Sequence, residues 1–339
     1  MGKNQIKNIL VTGGAGFVGA VLVPKLLKKG YKVSVLDWYI FGRDVFSNLK
    51  DKSRLKEIKG DLRDRKLLEK ELTGIDAVIH LACISNDPSF ELDPTFGKSV
   101  NYDATIFLAD AAKKKKIKRF IYASSSSVYG VKKEPEVTED LPLEPLTDYS
   151  KYKVLSEQYL LKKHKDSFTL LILRPATVCG YSPRLRLDLT VNILTISALV
   201  NKKIIVYGGN QKRPNIHIED MTDLYLKTLE YPHDKIHGKI FNAGYDNYTV
   251  LEIAKMVKRV IGDKEIEIEI RPTDDHRSYH VSSAKIEREL GFRAKKSVPE
   301  AIRDLVRAYK EGKIPNPMSE VKYYNIKTMQ INKDKLLNY

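Results

Sequence analysis

The stretch "TGGAGFVG", residues 12–19, constrains the fold more than any other part of the chain. It follows an apolar run, "IKNILVTG" (6–13), that reads as a buried strand. It opens an amphipathic stretch, 17–29, with apolar Val18, Val21, Leu22 and Leu26 and with Gly30 at its end. Gly13, Gly16 and Gly19 stand at the spacing Gly-x-x-Gly-x-x-Gly. The first permits a tight turn, the second lets backbone N–H groups approach a pyrophosphate, and the third allows helix and strand to pack closely. The helix N-terminus adds its positive partial charge. No Gly-Lys-Ser/Thr follows, so this is not a P-loop.

The pattern continues as such a start requires. "YKVSVLD" (31–37), "LKEIKGD" (55–61), "IDAVIHLA" (75–82), "IKRFIYASS" (117–125) and "SFTLLILRP" (167–175) read as further strands, with helices at 64–72, 94–114 and 149–164. Strands alternating with helices imply a parallel sheet with right-handed crossovers. Their continuous apolar character fits a sheet covered on both faces. The expected class is therefore α/β, a Rossmann-type doubly wound parallel sheet. After residue 175 the pattern loosens. "CGYSPRLRLDL" is loop-like, "TVNILTISALVNKK" reads as a helix and "IIVYGG" as a strand. "NIHIEDMTDLYLKTLE" (215–230) is a strand end feeding a helix that returns to the first sheet. Residues 250–262 and 297–312 are amphipathic helices, the second opened by a Ser297/Glu300 capping box with Pro299 in the first turn. The expected division is an NAD-binding domain over 1–180, to which 211–240 returns. A smaller α/β substrate domain follows over 181–210 and 241–312, and then a polar tail, 313–339, with no assigned function.

Asp37 closes the second strand, where an acid accepts hydrogen bonds from the adenosine ribose 2′-OH and repels a 2′-phosphate. The cofactor expected is NAD rather than NADP, although Arg43 in the next loop weighs the other way. Asp61, after the third strand, is placed to meet the adenine amino group.

Composition narrows the partners. The formal net charge is +16, but the lysines are spread along the chain. The densest run, "KKKKIKR" (113–119), falls at a helix end, where cations suit the helix dipole without a partner. Nucleic acid is not expected, whereas a small anionic substrate fits the charge. No run of apolar residues is long enough to span a membrane, and the start shows no signal-peptide pattern. Cys83 and Cys179 lie far apart and outside any Cys-x-x-Cys spacing, so a reduced cytoplasmic setting is expected and a metal site is not.

Tyr149 and Lys153 in "TDYSKYKVLSEQ" stand one helical turn apart on one face. Spacing alone does not single them out. It recurs at Tyr129/Lys133, Tyr159/Lys163, Tyr231/Lys235, Tyr309/Lys313 and Tyr323/Lys327.

Order does. "TGGAGFVG", "GDLRD", "HLACIS", "YASSSSVYG", "DYSKYKVLSE", "RPATVCG" and "NIHIED" occur in the sequence found in extended short-chain dehydrogenases/reductases, and over roughly 6–310 the chain resembles that family. Its closest likeness is to the NAD-dependent nucleotide-sugar group of UDP-galactose 4-epimerase and the sugar-nucleotide dehydratases. The resemblance implies that the catalytic tyrosine opens the helix after the fifth strand, which only Tyr149 does, with Ser125 as the hydroxyl bonding the reacting oxygen. Ser124 and Ser126 leave that choice open by one position. A free phenol is a poor base at neutral pH. Lys153 and the positive nicotinamide ring are expected to lower its pKa. Lys153 also bonds the nicotinamide ribose in the family, and Glu157 is read as structural.

The resemblance further implies that Phe17 and Val18 line the diphosphate loop, and Leu62, Leu81, Ala82 and Cys83 the adenosine and ribose side. Asn101 would sit near the cofactor and Pro175 at the nicotinamide end. For substrate it implies Ser85, Thr177, Arg186, Asn192, Arg213 and Arg277, with Arg184 a further candidate lacking a matched position. Guanidinium groups suit a diphosphate. The 4,6-dehydratases carry Asp-Glu after the catalytic hydroxyl, whereas here Ser126 and Ser127 follow, which argues against dehydration. The expected activity is that of a nucleotide-sugar 4-epimerase. The alternative is a GDP-heptose-like 4-dehydrogenase of capsule or O-antigen pathways, which "SPRLRLDLTVN" and "RSYHVSSAKIERELGF" resemble. Intact Ser125, Tyr149 and Lys153 oppose a non-catalytic NAD-sensing or RNA-binding relative. Relatives pair through the helices at 94–114 and 149–164, so a homodimer is expected.

Overall fold

Runs of apolar residues whose neighbours point to opposite faces build the central sheet. The computed structural model describes residues 6–164, 166–273, 278 and 280–337. Its strands are β1 (Asn8–Thr12), β2 (Lys32–Asp37), β3 (Leu55–Lys59), β4 (Ala77–His80), β5 (Arg119–Ala123), β6 (Thr169–Pro175), β7 (Thr177–Cys179), β8 (Lys203–Tyr207), β9 (Lys212–His217), β10 (Lys239–Ala243), β11 (Asp246–Thr249) and β12 (Glu267–Arg271). Its helices are α1 (Gly19–Lys28), α2 (Arg65–Glu71), α3 (Asp87–Glu91), α4 (Pro94–Lys98), α5 (Ala104–Lys114), α6 (Asp148–His164), α7 (Thr190–Asn201), α8 (Ile218–Thr228), α9 (His233–Ile236), α10 (Val250–Ile261), α11 (Ala284–Leu290), α12 (Val298–Lys310) and α13 (Asn325–Leu337).

Seven strands form one sheet in the order β10-β6-β5-β4-β1-β2-β3, every pair parallel. Ile9 and Val11 of β1 face one core, shared with Leu22, Leu26 and Met221. Leu10 faces the other, shared with Leu68, Leu108 and Leu160. The strand order reverses between β1 and β4, and ligands of such sheets bind in the crevice at the C-terminal strand ends beside that switch. The smaller unit holds a three-stranded sheet, β11-β9-β7, and a two-stranded one, β12-β8. Its core joins Val191 and Ala198 of α7, Ile253 and Val257 of α10, and Ala301 and Ile302 of α12. The chain enters it from β6 into β7 and leaves it where β9 runs into α8, which packs on α1.

Several elements depart from the sequence reading. The helix expected over 94–114 is interrupted by a π-helical turn at Ser99–Asp103. The strands β10, β11 and β12 were not anticipated; β10 completes the large sheet by pairing Lys239 with Leu171. Its sequence, "KIFNA", is short and has no periodicity of its own to mark it. The tail is not structureless. Helix α13 lies on the large domain, where Met329 and Leu336 join Ile84, Phe90, Phe96 and Val100 in one apolar cluster. The Ser297/Glu300 capping box forms as expected.

A buried polar knot ties β6 to α6. Arg174 donates from Nε and Nη2 to the two carboxylate oxygens of Glu157, at 3.0 and 2.6 Å. Arg174 also donates to the Tyr129 hydroxyl, which donates to Asn242 of β10. Glu157 is therefore structural, as read. Removing one partner strands the other charge in the core, so Glu157→Ala is expected to cost about 3–5 kcal/mol of stability, read by urea denaturation.

Burial also sets a pH dependence. The His80 ring lies between the Thr12 hydroxyl (2.6 Å) and the Thr105 hydroxyl (2.8 Å). Burial, with the nearby Lys153 ammonium, pushes its pKa down to about 3, and burial lowers His164 and His217 as well. An unfolded histidine titrates near about 6.5, so below that pH the unfolded chain binds more protons and stability falls, for His80 by up to about 1.4 kcal/mol per pH unit. Denaturation at pH 7.0 and 5.5 is expected to show this loss, with a shallower slope in His80→Gln.

Candidate active site

The cavity at the switch point has a volume of about 610 Å³ and is walled by the strand ends, the small unit and α13. Its floor is the glycine loop. Gly13 has φ +71°, and a Cβ there would stand 2.6 Å from the Ala82 backbone nitrogen. A Cβ on Gly19 would stand 2.3 Å from the Gly14 carbonyl oxygen. The first glycine thus makes the turn and the third the close helix packing, and α1 points its N-terminus at the cavity.

On the β2 side, Asp37 accepts from Ala15 N (3.0 Å) and Tyr39 N (2.8 Å), and it borders the cavity. Burial raises its pKa against these bonds and against the nearby Arg184. Arg43 is exposed and is not part of the wall. Gly16, Phe17, Val18, Leu62, Leu81, Ala82, Cys83 and Pro175 all border the cavity, as do Ser85, Thr177, Arg186 and Arg213.

Three expected contacts lie elsewhere. Asp61 is held by its neighbour Arg63, whose side chain grips both carboxylate oxygens, and it does not border the cavity. Asn101 spends its amide on Ile84, accepting from its N–H (2.8 Å) and donating to its carbonyl (3.0 Å). It braces the loop after β4 from behind, out of the π turn that carries it. Asn192 accepts from Gly180 N and donates to Arg186 O, so it shapes the loop that carries the arginines rather than facing ligand. Arg277 lies outside the described residues.

Helix α6 presents the tyrosine. Thr147 and Ser150 cap its start reciprocally, and the Thr147 hydroxyl donates to Asp87 at 2.6 Å. One turn inside, Lys153 is 3 % exposed and donates from Nζ to the Ala123 carbonyl at the end of β5 (2.7 Å). This holds the ammonium 5.8 Å from the centre of the Tyr149 ring and 5.0 Å from that of Tyr122. Among the tyrosines of the recurring spacing, Tyr149 alone borders the cavity. Tyr129 belongs to the Arg174 knot, and Tyr159 donates to Asp110. Ser125 caps a 3-10 turn, accepting from Ser127 N (3.1 Å) with its hydroxyl 2.9 Å from that of Ser127. Ser125 is partly open to the cavity, whereas Ser124 and Ser126 are buried, and this favours Ser125 as the reactive hydroxyl.

The expected lowering of the Tyr149 pKa is not what the isolated protein gives. Burial pushes the phenol up, and Lys153 opposes that only in part. Burial alone would lower Lys153, but Cys83, Tyr122, Tyr149 and Tyr225 around it raise it, so it stays an ammonium. A further positive charge beside the ring would lower the phenol pKa in the same sense as Lys153.

Residues that the sequence reading passed over complete the wall. They include Trp38, Phe41, Asn86 and Asp188, and, from the tail, Asn325, Ile326 and Met329. The spacing of Ile326, Met329 and Leu336 along one helical stripe was the available signal, thinned by the lysines between them.

A glycine cradle under a helix N-terminus, an acid at the end of β2 and a buried Tyr/Lys pair at the end of β5 fit a nicotinamide dinucleotide. The family model described as NAD dependent epimerase/dehydratase family matches residues 9–244. UDP-glucose 4-epimerase of Bacillus subtilis (strain 168) is 30 % identical over 332 residues, 87 % of this chain and 95 % of that protein. Among solved structures, DesIV, a dTDP-glucose 4,6-dehydratase from Streptomyces venezuelae with NAD bound, superposes with a TM-score of 0.82 at 25 % identity, covering 92 % of this chain and 100 % of that one. UDP-glucuronic acid 4-epimerase from Bacillus cereus, with UDP-glucuronic acid and NAD, gives 0.80 at 28 %, covering 90 % and 99 %. The chain belongs to the NAD-dependent epimerase/dehydratase family, and its cofactor is NAD.

Proposed function

We propose that the protein is a nucleotide-sugar 4-epimerase that oxidises the sugar at C4 and reduces it again on the opposite face. The observation that carries this reading is the make-up of the wall around Tyr149. The loop after β5 offers only serines, Ser124 to Ser127. Among the described residues, the carboxylates of the cavity are engaged elsewhere. Asp188 pairs with Arg186 and accepts from Asn86, Asp87 accepts from Thr147, and Asp37 accepts two backbone N–H groups. Loss of water from a sugar needs an additional acid and base, and epimerisation does not.

NAD, which the glycine loop and Asp37 would hold, would supply the hydride acceptor and donor for C4. The Tyr149 phenolate takes the proton of the C4 hydroxyl and gives it back, and Ser125 donates a hydrogen bond to the same oxygen. Lys153, fixed on Ala123, holds the phenolate. Arg186, within electrostatic reach of Tyr149 and Cys83, and Arg213 flank the space left for the nucleotide diphosphate.

The test is product chromatography with UDP-, GDP-, dTDP- and CDP-sugars, followed in parallel at 340 nm. Interconversion of C4 epimers without net NADH supports the reading. Stoichiometric NADH with a keto sugar as the product shows a dehydrogenase instead. Tyr149→Phe is expected to lose about 10²- to 10⁴-fold in turnover while still binding NAD, and full activity in that variant sinks the mechanism.

The sign of the Lys153 effect is also checkable. Its positive charge stabilises phenolate, so its removal raises the phenol pKa. In Lys153→Met the rising limb of the pH–activity profile is expected to move to higher pH, by at least about one unit.

A further inference from the structure

Arg184 is a cation that the fold buries near Asp188 and Asp37 but without a direct ion pair to either. It lies on the loop between β7 and α7, is 4 % exposed and borders the cavity. Its guanidinium carbon sits 3.5 Å from the centre of the Phe41 ring. Nη2 donates to Asn325 Oδ1 at 2.5 Å, while Nε and Nη1 are buried with no hydrogen-bond partner. Arg186, two residues on, differs: its Nε and Nη2 both bond to Asp188. A buried guanidinium with open donors is costly unless an anion meets it. Burial, reinforced by repulsion from Arg186 and only partly opposed by Asp188 and Asp37, pushes its pKa down to about 9.

The position of the loop says which anion. Ser182 donates to the Phe17 carbonyl at 2.8 Å, which ties the segment just before Arg184 to the glycine loop. Asp37, on the cofactor side, is within electrostatic reach of Arg184, as is Asp188 beside Arg186, whereas Arg186 is the one within reach of Tyr149. The C-terminal helix fixes the arrangement: Asn325, 3 % exposed, accepts from Arg184 and donates from Nδ2 to the Ser85 hydroxyl at 2.8 Å.

We propose that Arg184 is a clamp on the diphosphate of bound NAD, closing over the glycine loop, and that Asn325 of α13 is its positioning residue. The cofactor site thereby includes the C-terminal segment. This rests on the NAD site alone and stands whichever sugar reaction the protein performs.

The experiment is calorimetric titration of the full chain with NAD, ADP, adenosine and UDP. Arg184→Met is expected to weaken NAD and ADP about 10- to 100-fold and to leave adenosine, which has no diphosphate, within about twofold. Arg184→Lys recovers part of the loss. Asn325→Asp supplies an internal anion to the guanidinium. It is expected to raise the melting temperature while weakening NAD and ADP, a combination that a purely structural role does not produce. Unchanged NAD affinity in Arg184→Met overturns the proposal. So does an equal loss for adenosine and ADP, or a loss confined to UDP, which would assign the guanidinium to the substrate. Should Arg184→Met fail to fold, Asn325→Asp decides: undiminished NAD affinity there is also fatal to the idea.

Discussion

The backbone of Gly13 lies against that of Ala82 with no room for a side chain between them. That contact joins the end of β1 to the end of β4 across the point where the strand order reverses. It fixes the turn, the turn fixes where α1 begins, and the N-terminus of α1 then faces the crevice. The residues that follow β4, Cys83 to Asp87, are aimed by the same contact, and Thr147 at the head of α6 is hung from Asp87. Tyr149 is placed by this bond together with the Lys153 anchor on Ala123.

Electrostatics organise what the backbone frames. Lys153 is buried among a thiol and three phenols and anchored on a carbonyl rather than a carboxylate. A carboxylate there would neutralise the charge that Tyr149 needs. Burial in turn raises the Tyr149 pKa, and the Lys153 charge opposes that rise. Arg184 shows the complementary arrangement, a buried cation with two donors that no protein group meets. By contrast, the Arg174–Glu157 pair, with the same burial and no ligand to serve, is fully satisfied within the protein.

The first six strands of the large sheet were legible because most had to be apolar on both faces and each helix had to bury one side. The glycine loop and Asp37 were legible because backbone geometry and charge admit few alternatives at those points. Tyr149 was not legible from its spacing, which recurs along the chain, but from its place after the fifth strand. Three expected contacts share one local feature. Asp61, Asn101 and Asn192 carry the right chemistry at the right point of the chain, but their polar atoms are spent on a neighbouring side chain or a nearby backbone. Which way a short polar side chain turns is decided by partners far away in sequence, such as Ile84 for Asn101. Strand β10 was missed because its five residues are strand-like only beside β6.

The tail is the extreme case of that dependence. "YNIKTMQINKDKLLN" carries too many lysines to announce a buried helix. It is stable where it is because a few residues find partners already in place. Met329 and Leu336 enter a cluster with Phe90 and Phe96, Asn325 reaches Arg184 and Ser85, and the Leu336 carbonyl accepts from Arg63 at 2.7 Å. Arg63 is also the residue that grips Asp61. The acid expected to read adenine thus also orients Arg63, the cation that meets the last helix, a contact that no reading confined to the first domain could have assigned.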